Sequence, residues 1–115
     1  MLDQVAFGIS NDDYSDELLK QDISDIEEAG DICLWTEEEG LDAYMEKKYN
    51  SEHPGDVYDQ GKNVEITLTD IDAIRKMIGN GDLNVRDRAN MMDCLAAIED
   101  VLKAQEYRVF YSASW

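Results

Sequence analysis

The stretch NVRDRANMMDCLAAIEDVLKAQEYRVFY, residues 84–111, changes its hydrophobic period partway along. Met91, Leu95, Ile98 and Leu102 recur at i, i+4, i+7 and i+11, one stripe of a 3.6-residue helix. Asn84 stands where an N-cap belongs, with Asp87 three positions on. After Gln105 the pattern turns to Tyr107-Arg108-Val109-Phe110-Tyr111, aromatic and β-branched, which is strand chemistry. A helix feeding a closing strand is the kernel of a mixed fold.

Upstream, Val64 to Leu68 alternates apolar and polar residues and reads as another strand. Thr69 then caps a helix with Asp72 at N3, and Ile71, Ile74, Met77 and Ile78 form its core face. Gly79-Asn80-Gly81 stops it. Residues 50–62, with the only proline and two glycines, are the longest loop. Before them, Thr36-Glu37-Glu38-Glu39 fits a capping box, and Leu41, Tyr44, Met45 and Tyr49 supply a buried helical face that Gly40 weakens at its start. Ile32-Cys33-Leu34-Trp35 is too short to decide between strand and linker, although Trp35 is expected in the core. Ser15 caps a helix expected over residues 16–29, with Leu19, Ile23 and Ile26 as its stripe and Gly30 as its C′ glycine. Val5, Phe7 and Ile9 alternate in a first short strand.

The expectation is a single α+β domain over residues 1–115, with about four helices packed on a short sheet of about three strands. A chain of 115 residues with 43% hydrophobic side chains can bury a real core, so disorder is not expected despite a net charge of −17. No apolar run approaches the roughly 18 residues of a membrane helix, and no secretion signal is expected. Cys33 and Cys94 are 61 positions apart and make no metal or redox pair. Their apolar neighbours fit buried reduced thiols and a cytoplasmic location; a single bridge between them is the open alternative.

The charge is lopsided. Residues 1–60 hold 18 acidic and 3 basic side chains, whereas residues 61–115 hold 9 and 7. Within the first half, residues 12–46 carry 14 acids against Lys20 alone. Such a field repels phosphates and anionic membranes, so neither nucleic acid nor membrane is an expected direct ligand. It favours a basic protein surface.

No motif points to a reaction, and no catalytic residue, cofactor or metal is expected. Asn11, Asp12, Asp13, Asp16 and Glu17 lack the spacing and central glycine of a calcium loop. His53, the only histidine, has no marked nucleophile beside it, and Ser51 carries no sign of activation. Gly79-Asn80-Gly81 follows a helix and is not succeeded by the Gly-Lys-Ser/Thr of a phosphate loop. Two surfaces remain. The first is acidic: Asp22, Asp25, Glu28 and Asp31, followed by Glu37, Glu38, Glu39, Asp42 and Glu46, within residues 12–46, whose net −13 is of the order of the about 12 charges on a 20 Å stretch of duplex DNA. The second is the aromatic end, Tyr107, Phe110, Tyr111 and Trp115, where strand alternation favours Tyr111 for the core.

Leu34-Trp35 with Leu41-x-x-Tyr44-Met45, then Ile66-Thr67-Leu68-Thr69-Asp70-Ile71-Asp72-Ala73-Ile74, then Tyr107-x-Val109-x-Tyr111-Ser112-x-Ser114-Trp115 occur in one order over residues 32–115. In this the chain resembles a group of small acidic bacteriophage proteins often labelled phosphoglycerate kinase. The label is not adopted: that kinase is a large two-domain enzyme, and no nucleotide motif is present here. The chain also departs from the group's Tyr-Trp-Arg-Lys segment and Trp-Trp ending, having Thr36-Glu37-Glu38-Glu39 and a single Trp115, and the stretch between Asp82 and Met91 is shorter. The resemblance implies a phage accessory protein acting inside a bacterial host cell, with no implied activity. Joined to the charge, it gives the expectation of a non-enzymatic inhibitor that docks on a basic, nucleic-acid-binding host protein (a defence or restriction system), partly by DNA mimicry. The alternative is a small structural or regulatory phage protein that binds through its aromatic C-terminal strand. Homodimerisation is left open.

Overall fold

The structure is a computed structural model describing residues 1–115. Four antiparallel strands, β1 (Asp3–Ser10), β2 (Gly30–Thr36), β3 (Val64–Ile66) and β4 (Tyr107–Ser114), form one sheet in the order β2-β1-β4-β3. Three helices, α1 (Glu39–Glu52), α2 (Leu68–Asn80) and α3 (Arg88–Lys103), complete the α+β domain. The expected count of four helices and three strands is thus corrected to three and four.

β1 and β4 pair along their whole length, from Asp3 opposite Ser114 to Ser10 opposite Tyr107. Side chains alternate across the pleat, and this alternation makes two cores. Ala6, Trp35, Val64, Ile66, Val109, Tyr111 and Ala113 face the helices and join Leu41, Met45, Ile71, Ile74, Met91, Leu95 and Ile98. Phe7, Ile9 and Phe110 face the other way and are covered by Ile26, with Tyr14, Leu18, Leu19, Ile23 and Ala29 around it. The Val5-Phe7-Ile9 alternation therefore marks the smaller core. Gln4 and Gly8 fall on the helix face: Gln4 is engaged in hydrogen bonds, and a Cβ on Gly8 would touch Ile32 at 3.4 Å.

The cover of the smaller core is not the helix expected over residues 16–29. It is a strap with two 3₁₀ turns, Leu18–Lys20 and Ile23–Asp25, broken by Gln21 in extended conformation. Ser15 caps no helix, although its Oγ accepts from Leu18 N–H at 3.2 Å at the start of the strap. Asp22 then takes both the N–H and the hydroxyl of Ser24, a local bond that competes with helix continuation. Acid-rich i, i+3 and i, i+4 pairs such as Asp22–Asp25 oppose a helix too. The strap stays irregular and lays its apolar residues across the sheet. Gly30 is then no helix cap; it opens β2 opposite Gly8.

Helix starts are displaced from the expected caps. Thr67 rather than Thr69 caps α2, in a reciprocal box with Asp70. Asp87 rather than Asn84 caps α3 by accepting from Asn90 N–H. Thr36 ends β2 and caps nothing, and α1 starts without a side-chain cap. Gly81, in left-handed conformation at φ 78°, ends α2 as expected of that glycine turn. Cys33 and Cys94 are bridged, with Cα atoms 5.7 Å apart, and join β2 to α3; this corrects the reading of two free thiols. No helix is long and apolar enough to cross a membrane.

Candidate functional site

The nine carboxylates of the expected acidic surface do not form one face. Asp22, Asp25 and Glu28 ride on the strap, and Asp31 follows in β2; all four are exposed. Glu39, Asp42 and Glu46 belong to α1, in the helical layer on the opposite side of the sheet. The reason is topological, since β2 carries the chain from one layer to the other.

Two of the nine are turned inward. Glu38 is only 2% exposed, and its carboxylate oxygens accept the backbone N–H groups of Arg86 at 2.8 Å and Asp87 at 3.0 Å. It ties the start of α1 to the approach of α3 and offers nothing to a partner. Glu37 is half-buried in left-handed conformation (φ 56°), with Oε1 accepting from Leu2 N–H at 2.6 Å. Burial takes Glu38 out of the expected contact set, while Glu37 keeps part of its surface: at a strand-to-helix turn, a carboxylate is the nearest acceptor for stranded backbone donors. Asp42 is shared between inside and outside. Its Oδ1 accepts from Tyr58 at 2.6 Å and from Tyr111 at 2.8 Å. Tyr111 in turn accepts from Gln4 Nε2 at 2.8 Å, and Gln4 exchanges two bonds with the Glu38 backbone. Burial, above all, raises the Tyr111 and Tyr58 phenols far above their ordinary range.

Around the outer side of Asp42 the two expected surfaces meet. Glu39, Asp42 and Glu46, at i, i+3 and i+7 on α1, line a cavity of about 450 Å³ together with Tyr58 and Trp115. The rings of Tyr58 and Trp115 are 5.9 Å apart and tilted by 38°. Trp115 is half exposed, and its backbone N–H donates to Gln60 Oε1 at 3.2 Å. No lysine or arginine lines this cavity. None of the six ion pairs in the fold uses Glu39 or Glu46. Tyr58 lies in the long loop and was not singled out from sequence; an aromatic residue in a loop otherwise polar was the available signal.

The remaining aromatic residues divide by depth. Phe110, Tyr111 and Trp35 are buried, as alternation leads one to expect for Tyr111, while Tyr107 stays exposed at the far end of β4. β4 lies between β1, which pairs along its whole length, and β3, which pairs only with Val109–Tyr111.

A second cavity, about 560 Å³, lies between the strap and the end of α1 and contains His53, Lys62 and Arg108. Its cations are already engaged. Arg108 holds Glu65 through two bonds of 2.8 and 2.9 Å and stacks 3.7 Å over Tyr14, and Lys62 sits 3.6 Å from Asp56. The His53 ring rests on Tyr49, with centroids 4.6 Å apart. Comparison of the chain with family models, curated proteins and solved structures finds no match.

Proposed function

We propose that this protein is a binding module that docks its unpaired carboxylates on a basic surface of another protein and blocks that surface. The observation that carries the reading is the α1 face: Glu39 and Glu46 are exposed and unpaired, and they stand beside an exposed tryptophan. Charge steers the approach, and an aromatic anchor supplies contact that screening does not remove. The two readings of the sequence, acidic docking and aromatic contact, thus become one surface. The contact in this reading is made by Trp115, whose ring lines the cavity beside the α1 acids, rather than by the backbone of β4.

The chemistry of a basic groove suits a nucleic-acid-handling protein as the target, and the phage resemblance suits a bacterial one. We infer plain occlusion rather than a copied DNA backbone, because the strap and α1 carboxylates lie on different layers. Capture of partners from a bacterial lysate at about 50 mM and about 500 mM salt tests this, since exposed charges are screened within about 10 Å at 0.1 M. The expected result is one basic protein retained at low salt, lost at high salt and lost with E39Q/E46Q. Retention that ignores both salt and the double substitution would overturn the reading.

A further inference from the structure

We propose that the cavity between α1, Tyr58 and Trp115 is a receptor for one arginine side chain of the partner; this rests on the docking function above and names the group it grips. Three features of the cavity select that group. Its acids are three carboxylates with no cation among them, so the field inside is uncompensated and negative. These acids are spread over two turns of α1, a span that suits an extended cation better than a point charge. Its wall is aromatic, and a guanidinium lies flat on an indole face while its edge donates in plane to carboxylates.

The donors and acceptors also balance. Asp42 Oδ1 is filled by the hydroxyls of Tyr58 and Tyr111, which fixes the carboxylate and leaves Oδ2 for an incoming N–H. Glu39 and Glu46 flank it at one turn below and one turn above. The negative charge of Glu46 already reaches Tyr58, where it helps to hold the phenol protonated. An arginine entering here would replace that unfavourable field with a paired one. A lysine ammonium would find the charge but not the flat stacking surface or the forked geometry. The volume of about 450 Å³ takes a guanidinium with part of its stem.

The test uses the full-length protein and the indole N–H signals of its two tryptophans in NMR. Trp35 is 3% exposed and serves as the internal control for Trp115. The probes are N-acetyl-arginine amide, N-acetyl-lysine amide and N-acetyl-citrulline amide at low ionic strength. The expected result is a saturable shift of Trp115 with the arginine probe while Trp35 stays still. The lysine probe should bind about threefold more weakly, the size of an exposed cation–π term, and citrulline should not bind. E39Q/E46Q should weaken the arginine probe about fivefold, as two exposed ion pairs would. Equal response to citrulline, equal or better binding of lysine, or no saturable shift overturns the proposal. If the probe fails while a basic partner is still captured in a salt-dependent manner, the arginine receptor falls and docking stands. If the probe binds while capture ignores salt and E39Q/E46Q, docking falls and the receptor stands.

Discussion

The carboxylate of Glu38 accepts the backbone N–H of Arg86 at 2.8 Å, across a sequence separation of 48 residues. Together with the Asp87 N–H it gathers two backbone donors on one buried carboxylate. The consecutive residues Glu37, Glu38 and Glu39 thus have three fates: one closes a turn, one is an internal acceptor, and one faces solvent.

That division predicts how the run responds to substitution. E38A should cost about 2–4 kcal/mol of stability, because it removes two hydrogen bonds to a buried carboxylate. E39A should cost under about 0.5 kcal/mol, as exposed substitutions usually do. Urea unfolding of each variant, with the slope checked for constancy, measures the difference. Equal costs at the two positions would contradict the inward role of Glu38.

Asp70 predicts the behaviour in acid. Burial alone would raise its carboxyl, but donors from Lys48, Thr67 and Tyr44 outweigh burial and hold it below the usual carboxylate range. A carboxyl depressed by folding stabilises the native state above its unfolded pKa of about 3.9, and that contribution disappears as pH falls through the folded value. D70N should therefore be less stable than the parent by about 3 kcal/mol at pH 7, since it leaves the Lys48 ammonium without its counter-charge. The gap should begin to narrow below about pH 4, where the unfolded carboxyl takes up its proton, and close only as pH falls through the depressed folded value. Thermal melts from pH 7 to pH 2 follow this directly.

The bridge between Cys33 and Cys94 closes a loop with a sequence separation of 61. Chain-entropy reasoning gives such a link about 4 kcal/mol through restriction of the unfolded ensemble. Melting with and without reductant should show a drop of that order. The C33A/C94A variant should match the reduced parent and be insensitive to reductant. Thiol titration of the unfolded protein without reductant should find no free cysteine.

The contrast between legible and illegible parts of this fold follows from how far each signal reaches. Met91, Leu95 and Ile98 repeat on one stripe, and each is buried in α3; Ile71, Ile74 and Ile78 do the same in α2. Periodicity of that kind is local, so a sequence carries it openly. The caps slipped by two or three positions because Thr67 and Thr69, or Asn84 and Asp87, are equally good capping chemistry, and only packing chooses between them. β2 was ambiguous because four apolar residues fit several structures, and its pairing with β1 is a long-range fact. The candidate site was half visible. Glu39, Asp42, Glu46 and Trp115 stood out, but their meeting depends on a loop that brings Tyr58 between α1 and the end of β4.

The strap departs from the helical reading for a different reason. Leu19, Ile23 and Ile26 share a helical stripe, yet apolar residues laid over a sheet need no common helix to reach it. Ile26 is 5% exposed and packs in a buried cluster with only Phe7, Ile9 and Phe110, separate from the main core. Ile26 is the one buried apolar residue the strap contributes, so the strap should open locally before the domain unfolds. I26A should remove about 2–4 kcal/mol, taken mainly from this layer. Hydrogen exchange should then show faster exchange at the strap amides that are bonded locally, such as Asp25 to Asp22 and Ile26 to Ile23. Amides in α3 should instead keep rates set by global unfolding. Uniform acceleration through the strap and α3 alike would show that the two cores form one cooperative unit.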